Sequence, residues 1–296
     1  MDEATRFIDE CRFFHDGLRS YYMDLVQKFT ALELHNANFQ ADLTSGSEDK
    51  FWQRIWEAIL GCHLADLGYK PSAPKDGPDF LIHPNGKPVW VEAICPTPKN
   101  IPAEYVAHVS DNEVRVTSVP FDELTLNWTA ALKEKMEKLE GKTDPVGKPV
   151  PGYVAKNVVP ADQPYVIAVN SNRWGSAEFG VSQFPFSAEV GLGIGPIAVK
   201  VDTETGKFGA PEHTARFQIL NKNKSTVGTS VFTSDEYKGV SAVLSTGALC
   251  PQPKDFPYVV VHNPLARAPI PQGLFGTAAE YLSRLDGEYI EVTRVH

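Results

Sequence analysis

Asp79 and Glu92 flank a turn whose residue types fix how the two carboxylates meet. Asn85-Gly86 supplies two residues that tolerate positive φ, as a type I′ turn requires, and apolar runs lie on either side of it, residues 80–82 before and 89–94 after. Counting outward from a two-residue loop pairs Ile82 with Val89, Leu81 with Trp90, Phe80 with Val91 and Asp79 with Glu92. The same count sets Pro88 opposite His83 in a non-hydrogen-bonded pair, where its missing N–H costs little. Directly opposed side chains have Cβ atoms roughly 4.5–5.5 Å apart, and two carboxylates there repel unless one is protonated, salt-bridged or bound to a cation. Hard cations such as Mg²⁺ or Mn²⁺ take oxygen ligands of this kind, commonly one or two carboxylates completed by water and a substrate phosphate.

Two further side chains stand where they could serve the same centre. Glu57 is at the edge of the apolar stripe of a strongly patterned helix, beside Leu60, Gly61 and Leu64. It either forms an ordinary pair with Arg54 or Gln53, or joins the hairpin carboxylates. Lys135 lies within an apolar stripe, seven residues after Trp128, three after Leu132 and four before Leu139, whereas Lys133 projects from the far side. Lys135 either snorkels to water or brings its charge across the core to the hairpin.

Pro78-Asp79, the short hairpin and Glu92, preceded by the helix that carries Glu57, resemble the PD-(D/E)xK nuclease superfamily over roughly residues 45–141. The resemblance implies an α/β, restriction-endonuclease-like fold, a mixed central sheet flanked by helices. It also implies a metal-dependent phosphodiesterase acting on DNA or RNA, with Asp79 and Glu92 holding Mg²⁺ or Mn²⁺ and Glu57 acting through water or on a second ion. One position departs from the pattern: Ile94 stands where the superfamily has Lys. In an active nuclease Lys135 would replace that cation and join Glu57, Asp79 and Glu92 as a catalytic residue. In the alternative, the chain is a nuclease-fold binding or assembly module that has lost catalysis. A small-molecule α/β enzyme of unrelated type is a third reading, because fold does not fix function.

Several elements must position these residues. Residues 1–43 show apolar positions mostly at three- and four-residue steps and read as a lead-in of two helices with a break near Gly17. Residues 44–296 read as the α/β core with a β-rich C-terminal extension, the whole forming one compact unit. Ser45-Gly46-Ser47-Glu48 has the capping-box pattern and opens a helix of about five turns that ends at Gly68. A second helix runs from Phe121 to Gly141, and residues 142–162, rich in Pro, Gly and Lys, read as a loop. The apolar run of residues 164–170 reads as a central strand buried on both faces, reached from the hairpin by a helical crossover. Short strands are expected at 197–201, 216–220, 230–233, 240–244 and 258–262, then a helix over 278–285 and an edge strand over 289–295. Gly191-Leu192-Gly193-Ile194-Gly195 is no dinucleotide loop, since Pro196 and a strand follow where a helix should begin.

Charge and composition narrow the classes. The formal net charge is −9, from 28 Lys and Arg against 37 Asp and Glu, which opposes tight non-specific binding to nucleic acid. A local basic surface can coexist with it, and Lys200, Lys207, Arg216, Lys222 and Lys224 are candidates. The four cysteines lie far apart without a C-x-x-C pair, so neither a disulfide framework nor a structural zinc is indicated. With no long apolar run and an acidic N-terminus, the expectation is a cytoplasmic protein without a membrane partner.

Overall fold

The structure, a computed structural model, describes residues 3–106, 116–175, 179–250, 258–276, 278–286 and 289–295. Its helices are α1 (Glu3–Glu10), α2 (Arg19–Ala31), α3 (Phe39–Leu43), α4 (Glu48–Asp66), α5 (Ala103–Val106), α6 (Phe121–Glu140) and α7 (Phe186–Leu192). The strands are β1 (Phe80–Ile82), β2 (Val89–Ile94), β3 (Gly141–Thr143), β4 (Pro149–Pro151), β5 (Tyr165–Asn170), β6 (Ile194–Val201) and β7 (Phe208–Ala215), followed by β8 (Gln218–Leu220), β9 (Thr226–Gly228), β10 (Ala242–Thr246), β11 (Val259–His262), β12 (Ala279–Asp286) and β13 (Tyr289–Val295).

A seven-stranded mixed sheet, in the order β1-β2-β5-β10-β11-β12-β13, organises the molecule. β2, β5 and β10 run parallel, and antiparallel pairs flank them: β1 on β2, and β11 on β10. The hairpin register is the one that turn chemistry dictates, with Phe80 opposite Val91, Leu81 opposite Trp90 and Ile82 opposite Val89. Asn85 at φ 51° and Gly86 at φ 78° make the turn. All six residues of β5 are buried, as the continuous apolar run requires, and α6 carries the chain between the parallel strands β2 and β5.

Each face of the sheet has its own helical layer. Phe80, Ile82, Val91, Ala93, Val166 and Leu244 pack with α1 to α4, while Trp90, Ile94, Ile167, Val169 and Val243 pack with α6 and α7. The N-terminal helices are thus part of one apolar layer with α4. Gly61 permits their close approach, because a Cβ there would lie 2.6 Å from the Phe29 ring. The cap of α4 differs from the sequence pattern: Ser47 accepts from Lys50 N–H, and Ser45 instead accepts from Ser47 N–H. Gly68 at φ 84° follows the helix as expected.

Several expectations need correction. The lead-in contains a third helix, α3, because Phe39 and Leu43 find a buried place against α4. The stretch after α6 is a hairpin, β3 with β4, whose turn at residues 144–148 is held by Asp144 accepting from Val146 and Lys148 N–H. Residues 231–233 form a single 3-10 turn rather than a strand. The helix expected over 278–285 is the strand β12, paired on both sides, so sheet pairing overrode local helical preference. β6 with β7, and β8 with β9, form hairpins outside the main sheet, and β6 beyond Gly195 and all of β7 are exposed. No helix among the described residues is long and apolar enough to cross a membrane.

Candidate functional site

The carboxyl end of β2 opens onto a cleft of about 810 Å³ between the two helical layers. Asp79, Glu92, Glu57 and Lys135 all line it. They come from four elements for separate local reasons. Glu92 is in β2 with its side chain 1% exposed, on the α6 face that period-2 alternation assigns to Trp90, Glu92 and Ile94. Asp79 stands one residue before the ladder begins, and its Oδ2 accepts from Ala93 N–H at 2.7 Å. That bond ties the end of β1 to β2 where regular pairing has stopped.

Lys135 does cross the core. Its Nζ lies 3.2 Å from Glu92 Oε1 and 3.5 Å from Glu134 Oε1. A second cation, Lys138, is closer still, donating to the same Glu92 oxygen at 2.6 Å. Lys138 is one helical turn beyond Lys135, at the border of the apolar stripe, and its side chain is half exposed. The sequence signal for it was the i,i+3 spacing from Lys135; a border position hides such a residue because its stem can run to water or inward with equal ease. The Tyr153 ring lies 5.5 Å beneath the Lys138 ammonium, and its hydroxyl reaches Gly77 C=O at 3.1 Å and Glu92 Oε2 at 3.5 Å.

Glu57 forms the pair with Arg54 and Gln53 that its sequence position allowed, and its charge also acts on Asp79. It is buried on the sheet side of α4, and it is also paired, accepting from Arg54 Nη1 at 2.6 Å and from Gln53 Nε2 at 3.0 Å. Arg54 reaches Asp42 with its other nitrogen, so its charge is divided between two acids. Gln53 connects the helix to the strand end: its Nε2 also donates to Ala93 C=O at 3.3 Å, and its Oε1 accepts from Cys95 N–H at 2.8 Å. The exit of β5 closes that side, with Asn172 Oδ1 accepting from the Cys95 thiol at 3.3 Å and Arg173 paired to Asp49 at 2.5 Å.

Charge bookkeeping marks Asp79 as the odd member. Burial, then the charges of Glu92 and Glu57, push its carboxyl up to about 8, against the weaker opposing pull of Lys135 and the Ala93 amide. Burial disfavours the Lys138 ammonium, yet Glu92 outweighs it and the group titrates above its ordinary range. Tyr153 is pushed up to about 12 by burial and by Glu92. The raised carboxyl favours a proton on Asp79, in a place that a more highly charged cation could take.

Among the described residues no group of three or more His, Cys, Asp or Glu side chains is placed to hold a metal ion. Lysines pair with Glu92 through Oε1 and Arg54 pairs with Glu57, so among the three acids Asp79 is the one with no ion pair among the described residues. The five lysines and arginines proposed as a basic surface are spread over the outer hairpins. Arg216 is taken up by Asp122, and Lys200 pairs with Glu212 at 3.2 Å. Compared with family models, curated proteins and solved structures, the chain matches none.

Proposed function

We propose that the protein is a metal-dependent phosphodiesterase of restriction-endonuclease-like fold, cleaving DNA or RNA at the cleft where β2 ends. The observation that carries this reading is geometric: Asp79, Glu92 and Glu57 line one open cleft together with Lys135 and Lys138, and the neighbouring acids and burial raise the Asp79 carboxyl. The donor chemistry suits Mg²⁺ or Mn²⁺, which accept one or two carboxylates and keep the remaining positions for water and phosphate. Asp79 and Glu92 would hold the ion. When bound, it would polarise a phosphoryl oxygen and acidify a water molecule.

This chain's own residues carry the remaining tasks. Lys135 and Lys138 supply positive charge beside the acids, where charge develops on a phosphate in flight. They take the place of the lysine that Ile94 lacks. Gln53 fixes the strand end through Ala93 and Cys95, and Glu57 holds Gln53 in place, so Glu57 acts as a positioning residue. Asp79 must release its proton before it can serve as a ligand.

A second reading, a nuclease-fold binding or assembly module without catalysis, is favoured by the ion pairs themselves. Glu92 is already neutralised by two lysines, and Glu57 by an arginine. Incubating the protein with DNA and RNA oligonucleotides in Mg²⁺, Mn²⁺ or EDTA separates the two. Cleavage that needs metal and is lost in Asp79→Asn and Lys135→Ala supports the enzyme; binding without cleavage in every metal adopts the module.

A further inference from the structure

The cleft does not end at the carboxylates. A second groove of about 430 Å³ adjoins it, and Lys99, Asn127 and Ala130 line both. The join is built rather than incidental. Asn127 of α6 is 8% exposed and clasps the Lys99 backbone, accepting from Lys99 N–H at 3.1 Å and donating to Lys99 C=O at 2.8 Å, with a further bond to Glu123 C=O at 2.8 Å. With its backbone clamped on both sides, Lys99 is fixed where the two grooves meet, while the residue itself stays exposed. Among the described residues no carboxylate stands within ion-pair distance of it.

From this point the second groove runs along α6 to the turn between β8 and β9. That turn is rigidified by Asn221, which accepts from Asn223 and Ser225 N–H, and it presents Lys222, whose Nζ reaches Asn100 C=O at 3.4 Å. Leu126 and Val227 give the groove an apolar floor, and Glu123 is its one carboxylate against Lys99, Lys133 and Lys222. Seen along α6, Lys138, Lys135, Ala131 and Asn127 form one stripe at three- and four-residue steps. From Lys138 to Asn127 that stripe is about 16 Å long at 1.5 Å per residue. At about 3.4 Å per nucleotide along one strand, this spans roughly five nucleotide steps.

We infer that the groove from the Asp79–Glu92 cleft past Lys99 to Lys222 is a track for one polynucleotide strand, which it holds beyond the phosphate presented to the carboxylates. The inference rests on the phosphodiesterase reading for the direction of the strand, and it adds to that reading a binding surface outside the carboxylates, through Lys99 and Lys222. A local row of lysines answers the objection from the overall negative charge, because a strand responds to the cations within a screening length of it, about 8–10 Å, and not to the sum over the chain. Amide groups of Asn100 and Asn223 in the same groove give hydrogen-bonding partners to phosphate and base edges alike.

The test measures fluorescence anisotropy with DNA and RNA oligomers of about 12 nucleotides, within the usual single-strand site sizes, in EDTA, for the wild-type protein and for Lys99→Glu/Lys222→Glu. The wild-type protein should bind an oligomer, and a mononucleotide should fail to compete. The double variant should bind at least tenfold more weakly, and its log K against log salt should flatten by about 1.4, for two lost phosphate contacts. Thermal unfolding of the variant checks that both exposed substitutions leave the fold intact. Equal binding and equal salt slope in the two proteins would overturn the track. Hydrolysis of a small phosphodiester, bis(p-nitrophenyl) phosphate, by the wild-type protein in Mn²⁺ is measured separately: its absence sinks the catalytic reading, while the binding comparison still decides the track. Preference between DNA and RNA follows from the same titrations.

Discussion

Buried carboxylates stand at two places along the same sheet and are treated oppositely by their surroundings. At one end Glu280 of β12 is buried with His262 Nε2 at 2.9 Å from one oxygen and Gly273 N–H donating to the other at 2.7 Å. A ring and an amide both meet this carboxylate, and neither His262 nor Glu280 lines the cleft described above. At the other end Asp79, Glu92 and Glu57 crowd the mouth of that cleft, and the deficit falls on Asp79. A buried carboxylate is therefore not in itself a mark of function. At the cleft, like charge is crowded beside an open surface, a repulsion that an incoming cation would relieve.

The sharpest way to break this contrast is to delete the carboxylate with the architectural role. Glu280→Ala should lower folding stability by about 3 kcal/mol, the scale for stripping one partner from a buried pair, and should leave the response to Mg²⁺ unchanged. Urea unfolding checks it, and a loss below about 1 kcal/mol would erase the distinction. At the cleft the large effect should instead be on chemistry. Lys135→Ala is expected to slow metal-dependent cleavage by roughly 10²–10³-fold, the range for removing one preorganised electrostatic group, with a far smaller effect on folding because Lys138 still answers Glu92.

Proton linkage gives an intermediate effect. Asp79 holds its proton more tightly folded than unfolded, so its contribution to stability is full below the ordinary carboxylate value of 3.8 and is lost as pH rises towards about 8. Melting temperature without metal should fall across that window, and Asp79→Asn should flatten the slope. Since the ion must displace this proton, stabilisation by Mg²⁺ or Mn²⁺ should grow with pH up to about 8 and then level, reaching about 2.7 kcal/mol at a hundred times the dissociation constant. An Mg²⁺ response independent of pH in the wild-type protein would remove Asp79 from the site. The smallest effect tests Glu57, whose charge acts on Asp79 less than that of Glu92 does. In a carboxyl NMR titration Glu57→Gln should lower the Asp79 midpoint, by less than Glu92→Gln does.

What the sequence determined by itself was local. Asn85-Gly86 set the hairpin register residue by residue, because positive φ at both turn positions leaves a two-residue loop little choice. Helical spacing defined α4 and α6 and placed Lys135 on the inward face, and six consecutive apolar residues marked β5 as doubly covered. β12 escaped, since its strand state depends on β11 and β13 at its sides.

What only tertiary structure decided was which charges meet. Glu92 and Lys138 are 46 positions apart, and Asp79 lies 14 from the amide that holds it. No periodicity within one element encodes such meetings. They arise where parallel β2 and β5 end together and the α4 and α6 layers close over the same strand end, so that Gln53 and Glu57 arrive from one side and two lysines from the other. The proton on Asp79 follows from that convergence, because burial and like charge act through space and not along the chain.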